Sequence, residues 1–108
     1  MNLIERDALK SLIDGRDPIV LLEALPERNF RAGHLPGAQL FPHDRAAELA
    51  PALLPDRAAK IVVYCASDTC QNSHVAAKVL RKLGYADVAV YAGGKKDWEQ
   101  AGLALVSG

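Results

Sequence analysis

Two thiols stand in the segment VVYCASDTCQNSHVAAKVL, at Cys65 and Cys70, and the chain has no third cysteine. A cysteine is nucleophilic as its thiolate, and an isolated thiol titrates near ~8.5. Apolar and aromatic residues run straight into Cys65, a polar stretch follows, and a helical pattern begins at Asn72. A thiol placed between a buried strand and a helix meets two sources of positive potential. The connection Ala66–Asn72 must turn the chain, and such turns aim backbone N–H groups inward as an anion cradle. The helix N-terminus adds about half a positive charge. Each pKa unit of thiolate stabilisation corresponds to roughly 1.4 kcal/mol, so two units make the group mostly anionic at neutral pH.

The chemistry on offer is therefore attack by Cys65 on an electrophilic atom held in the loop Ala66, Ser67, Asp68, Thr69, Gln71, Asn72 and Ser73. Ser67, Thr69, Gln71 and Ser73 supply side-chain hydrogen bonds to a bound species. The same residue types fit a structural cysteine that packs as a small hydrophobe and a loop whose Ser and Asn side chains only cap the helix. Cys70 adds a redox option. A bridge to Cys65 needs Cα atoms closer than ~7 Å, which a tight cradle allows; the alternative is that Cys70 packs beneath the loop. Two cysteines with four residues between them fit a zinc site poorly, and no metal or cofactor is expected.

The elements that must position these residues follow from periodicity. KIVVYC (60–65) is a strand and NSHVAAKVLRKLG (72–84) a helix, with Ala76, Val79, Leu80 and Leu83 inward and Lys78, Arg81 and Lys82 outward near the C-terminal end. NLIERDALKSLIDG (2–15) reads as a first helix with Asn2 and Glu5 in a capping-box spacing and Gly15 as its stop. PIVLLEAL (18–25) has the continuous apolar character of a fully buried parallel strand. PERNFRAGHLPGA (26–38) is turn-rich with a helical turn near Phe30, QLFP is a short strand, and HDRAAELAPALLPD (43–56) is a helix interrupted by Pro51. VAVYAGG (88–94) is a strand with a glycine turn, followed by a short helix at KKDWEQAG (95–102). Strands alternating with helices predict βα units around a parallel sheet, with sites beyond the carboxyl ends of the strands.

Composition narrows the class. Half of the 108 residues are hydrophobic and 13 basic side chains balance 13 acidic ones. That suits a single domain over residues 1–108 with its own core and no nucleic-acid or membrane partner. The N-terminus is broken by charges rather than built as a secretory signal, so a cytoplasmic location with reduced thiols is the expectation.

IVVYC, a short loop, SxxAAxxLxxLGY, then VxVYxGGxxxW resembles the rhodanese-like sulfurtransferase family. AGHLPGA (32–38) is similar to that family's other signature, and the closing WEQAGLALV also fits. The resemblance covers nearly the whole chain. It implies an α/β fold, a three-layer parallel β-sheet flanked by helices, with Cys65 as the nucleophile that carries sulfur as a persulfide. The implied reaction takes sulfane sulfur from thiosulfate or a persulfide donor and passes it to cyanide or to a thiol, small or on a protein. Cys70 would be a resolving residue, attacking the persulfide to release hydrosulfide and leave a Cys65–Cys70 disulfide.

This sequence departs from the family pattern in places. Family loops commonly read Cys, four residues, then Arg, with Ser close behind. Here Cys70 holds the Arg position and Ser73 is the matching serine two places late, while Asp68 adds negative charge. The family's Asp-x-Arg aligns with Glu23-Ala24-Leu25, which leaves an acidic residue without its basic partner. These departures weigh against thiosulfate, a dianion, and not against the nucleophile.

The remaining polar residues read mostly as structural. His34 ties a turn by hydrogen bonds, His43 belongs to a helix cap, His74 lies on an exposed face, Lys95 and Lys96 form a solvated surface pair, and Trp98 closes the core. Two competing functions stay open: a catalytically silent module that binds a protein partner, and a cysteine phosphatase or arsenate reductase. The latter leans on an arginine that clamps the oxyanion, which this loop lacks.

Overall fold

The computed structural model describes residues 2–108. Five parallel strands form one sheet: β1 (Asn2–Leu3), β2 (Val20–Glu23), β3 (Gln39–Leu40), β4 (Lys60–Tyr64) and β5 (Asp87–Tyr91), in spatial order β1-β5-β4-β2-β3. The helices are α1 (Arg6–Asp14), α2 (Glu27–Ala32), α3 (Ala46–Leu53), α4 (Asn72–Lys82) and α5 (Gly94–Gln100), with a 3-10 turn at His43–Arg45 ahead of α3. This is the expected three-layer α/β architecture.

Strand β4 explains the layering. Successive side chains of a strand point to opposite faces, and all of Ile61–Tyr64 are buried, so both faces must be covered. Ile61 and Val63 pack with Ala46, Ala50, Ala76, Ala77 and Leu80 of α3 and α4. Val62 and Tyr64 pack on the other face with Leu9 of α1, Trp98 of α5 and Leu35. Trp98 is core as expected, and its Nε1 donates to Ala104 O at 3.0 Å. No helix among the described residues is long and apolar enough to cross a membrane.

Three local expectations are corrected. The first helix starts at Arg6 rather than Asn2, because Asn2 and Leu3 pair with Ala89 and Val90 along the edge of β5. Glu5 then occupies the N-cap without a side-chain cap bond, so the Asn2/Glu5 box does not form, while Gly15 does end the helix. A two-residue edge strand has no periodicity to read. Helix α3 runs through Pro51 to Leu53, with Ala46 and Ala50 buried on the sheet, so packing outweighs the one backbone bond that proline removes. His43 is the first residue of the 3-10 turn and caps nothing.

Candidate active site

Cys65 follows the last residue of the central strand β4, at the carboxyl edge of the sheet. Tyr64, the residue before it, is in register with Glu23 at the end of β2 and with Tyr91 at the end of β5. The loop from Ala66 to Gln71 leads into α4, whose N-cap residue Gln71 makes no side-chain cap bond. A helix start of this kind leaves its first N–H groups without intrahelical partners.

Cys65 and Cys70 are joined by a disulfide, with Cα atoms 6.4 Å apart. Cys65 is 1% exposed, whereas Cys70 is half-buried. The loop tightens around this bridge: Cys70 N–H donates to Ser67 O at 3.2 Å, and the hydroxyls of Ser67 and Thr69 lie 3.0 Å apart. One amide that the cradle was expected to aim inward is thus spent on a turn. Ala66, Asp68, Thr69 and Gln71 are exposed, Ser67 and Asn72 half-buried, and Ser73 is buried in the first turn of α4. The structure therefore brings Ala66–Asn72 to one rim and places Ser73 beneath it.

The cysteine loop rests on the glycine turn after β5. Lys95 N–H donates to Cys65 O at 3.0 Å and Lys96 N–H to Ala66 O at 2.9 Å. Gly94 has φ of 65° and passes so close that a Cβ there would lie 2.4 Å from Cys65 O. Only glycine combines that left-handed backbone with that approach.

Below the loop lies a buried polar chain. Glu23 is fully buried. Its Oε1 accepts from the Tyr64 hydroxyl at 2.8 Å, and that hydroxyl oxygen accepts from Leu35 N–H at 3.0 Å. Lys95 Nζ sits 3.0 Å from Glu23 Oε2 and donates to Asn29 O at 2.8 Å. The Nζ–Oε2 contact is an ion pair without aligned hydrogen-bond geometry, which leaves Oε2 charged and compensated but not hydrogen-bonded. Burial, reinforced by the Glu23 charge, pushes the Tyr64 phenol well above its ordinary value, so this hydroxyl stays a donor.

Lys95 corrects the sequence reading. It is not a solvated surface lysine: its side chain is 12% exposed, and it is the missing basic partner of Glu23. Buried charges are paired, so the acidic residue closing a buried strand was itself the signal that a cation had to come from elsewhere. Lys96 is exposed and lines a small cavity with Asp68, Asp97 and Gln100. His34 behaves as expected: its Nδ1 lies 2.9 Å from Phe30 O, its ring stacks on Phe30, and its backbone bridges Val106. His74 is half-buried rather than exposed.

A family model described as a rhodanese-like domain matches residues 5–101. The chain belongs to the rhodanese-like family. Among solved structures, the rhodanese-like domain of an Anabaena sp. protein, determined by NMR in solution, is 25% identical with a TM-score of 0.87, covering 99% of this chain and 80% of that one. A rhodanese with anions from E. coli is 25% identical with a TM-score of 0.70, covering 84% and 100%. A human single-domain sulfurtransferase, 22% identical, shares the fold with a TM-score of 0.78 over 93% of this chain and 96% of that one. One curated relative, an HTH-type transcriptional regulator of Mycobacterium tuberculosis, is 31% identical over 90 residues, which is 83% of this chain. This chain spans 38% of that relative's length. The rhodanese-like assignment fits the position of Cys65 after the central strand, and the Cys-x4-Cys spacing is the feature by which this loop departs from the family pattern described above.

Proposed function

We propose that this chain is a sulfurtransferase in which Cys65 carries sulfane sulfur as a persulfide and Cys70 resolves it. The supporting observation is the placement of Cys65 at the carboxyl end of the central strand, ahead of a helix start with no side-chain cap, in a rhodanese-like fold. The reduced Cys65 thiolate attacks the sulfane sulfur of thiosulfate or of a small persulfide, expels the donor's leaving group and becomes Cys65–S–SH. Loop N–H groups stabilise the charge on the outer sulfur much as an oxyanion hole serves oxygen. Cyanide or a thiol, small or on a protein, then removes that sulfur, which gives ping-pong kinetics.

Alternatively the Cys70 thiolate attacks the inner sulfur of the persulfide. The Cys65–Cys70 bond forms, the bond to the outer sulfur breaks, and hydrosulfide leaves. The 6.4 Å between the Cα atoms and the bridge itself support this step. In the bridged form Cys65 is covered and cannot act, so transfer belongs to the reduced protein.

Intact-protein mass after reduction and exposure to thiosulfate or a low-molecular-weight persulfide tests the proposal. Gain of one sulfur, its loss on adding cyanide and its absence in Cys65→Ser support transfer. A chain that never gains sulfur is instead a module that binds a protein partner, a reading the burial of Cys65 favours. Hydrolysis of an aryl phosphate would point to phosphatase chemistry.

A further inference from the structure

The two sulfurs of the bridge are unequal. Cys65 is held from behind by Lys95 N–H on its carbonyl, lies against the backbone of Gly94 and is 1% exposed. Cys70 is partly exposed and sits between the exposed residues Thr69 and Gln71. A nucleophile opens a disulfide by attacking one sulfur in line with the bond, and access decides which. Here the less buried residue of the bridge is Cys70.

We infer that the oxidised chain has a second activity: it takes up hydrosulfide directly, using the Cys65–Cys70 bridge as the two-electron acceptor and forming the persulfide first on Cys70. Hydrosulfide attacks Cys70 Sγ, the new S–S bond forms there, the Cys65–Cys70 bond breaks, and Cys65 departs as a thiolate. The products are Cys70–S–SH and Cys65–S−. The sulfide sulfur is oxidised and the bridge is reduced, so no other oxidant is needed. The Cys65 thiolate then attacks the outer sulfur of Cys70–S–SH, giving Cys65–S–SH and a Cys70 thiolate. The 6.4 Å Cα separation that permits the bridge also permits this short transfer. Uptake thus enters the bridge at Cys70, the half-buried member of the pair, rather than at the covered Cys65. The inference rests on the sulfurtransferase proposal only for onward passage of the sulfur.

The test uses the oxidised chain under anaerobic conditions, with iodoacetamide as quench. Cleavage before Asp56, Asp68 and Asp87 separates Cys65 (fragment 56–67) from Cys70 (fragment 68–86). Sodium sulfide is expected to open the bridge and leave one alkylated persulfide per chain. Sulfide that leaves the bridge intact, or opens it without persulfide, overturns the inference. Glutathione, quenched at the earliest times before the Cys65 thiolate can exchange onto the adduct, reports the site of attack: the mixed disulfide is expected first on 68–86 with alkylated Cys65 on 56–67. A glutathione adduct that appears first on 56–67 overturns the assignment to Cys70. Reduced chain with thiosulfate or a persulfide donor, run in parallel, reads the sulfurtransferase proposal separately, because that arm involves no bridge.

Discussion

Lys95 binds the site twice, through its backbone to the carbonyl of Cys65 and through its ammonium to the buried carboxylate of Glu23, 3.0 Å away at Oε2. One residue at the start of α5 thereby joins the cysteine loop to the end of β2, and through Asn29 to α2.

Removing that cation strands a charge. Lys95→Met is expected to cost about 3–5 kcal/mol, because it leaves the Glu23 carboxylate buried and uncompensated. Adding Glu23→Gln should recover most of the loss. Urea unfolding of the single and double variants measures both, and a Lys95→Met chain as stable as the parent would show that the pair contributes nothing.

Alkali should unfold the chain early. Burial, with help from Glu23, raises the Tyr64 phenol, and burial followed by the Asp97 hydrogen bond raises Tyr91. The folded state therefore keeps protons that the unfolded chain releases near pH ~10. Stability from these groups is complete below that value and falls above it, by roughly 1.4 kcal/mol per pH unit for each tyrosine. Urea midpoints across this range give the slope, and Tyr64→Phe should remove about half of it.

Gly94→Ala should damage the loop itself. The left-handed backbone alone costs ~1–2 kcal/mol for a residue with a side chain, and the added Cβ collides with Cys65 O. Both stability and sulfur uptake are expected to fall; uptake unchanged from the parent would mean that the glycine turn does not position Cys65.

Reduction should change stability modestly and activity strongly. Opening a bridge between residues five apart removes a chain-entropy contribution of about 2 kcal/mol, read as a lower urea midpoint with dithiothreitol present. Sulfur uptake from a persulfide donor should require the reductant in the parent and not in Cys70→Ser.

Much of this was legible in the residues. The apolar run Ile61–Tyr64 and the spacing of Ala76 and Leu80 fix β4 and α4, because both are buried along a whole face and leave a period. Cys65 falls between them by count alone. What escaped was non-local. Asn2–Leu3 is a strand only because β5 offers an edge. Lys95 sits beside an exposed lysine and reads as surface, yet its partner lies 72 positions upstream in β2. The bridge was one of two options for Cys70, and only the curl of the loop decides between them.

The paired amides of Lys95 and Lys96 grip two consecutive carbonyls, those of Cys65 and Ala66. The backbone under the nucleophile is therefore riveted to the first turn of α5 and cannot swing outward without unravelling it. Any motion that bares the sulfur has to hinge beyond Ala66, so the moving part is a short flap, 67–71, hung between that anchor and the first turn of α4.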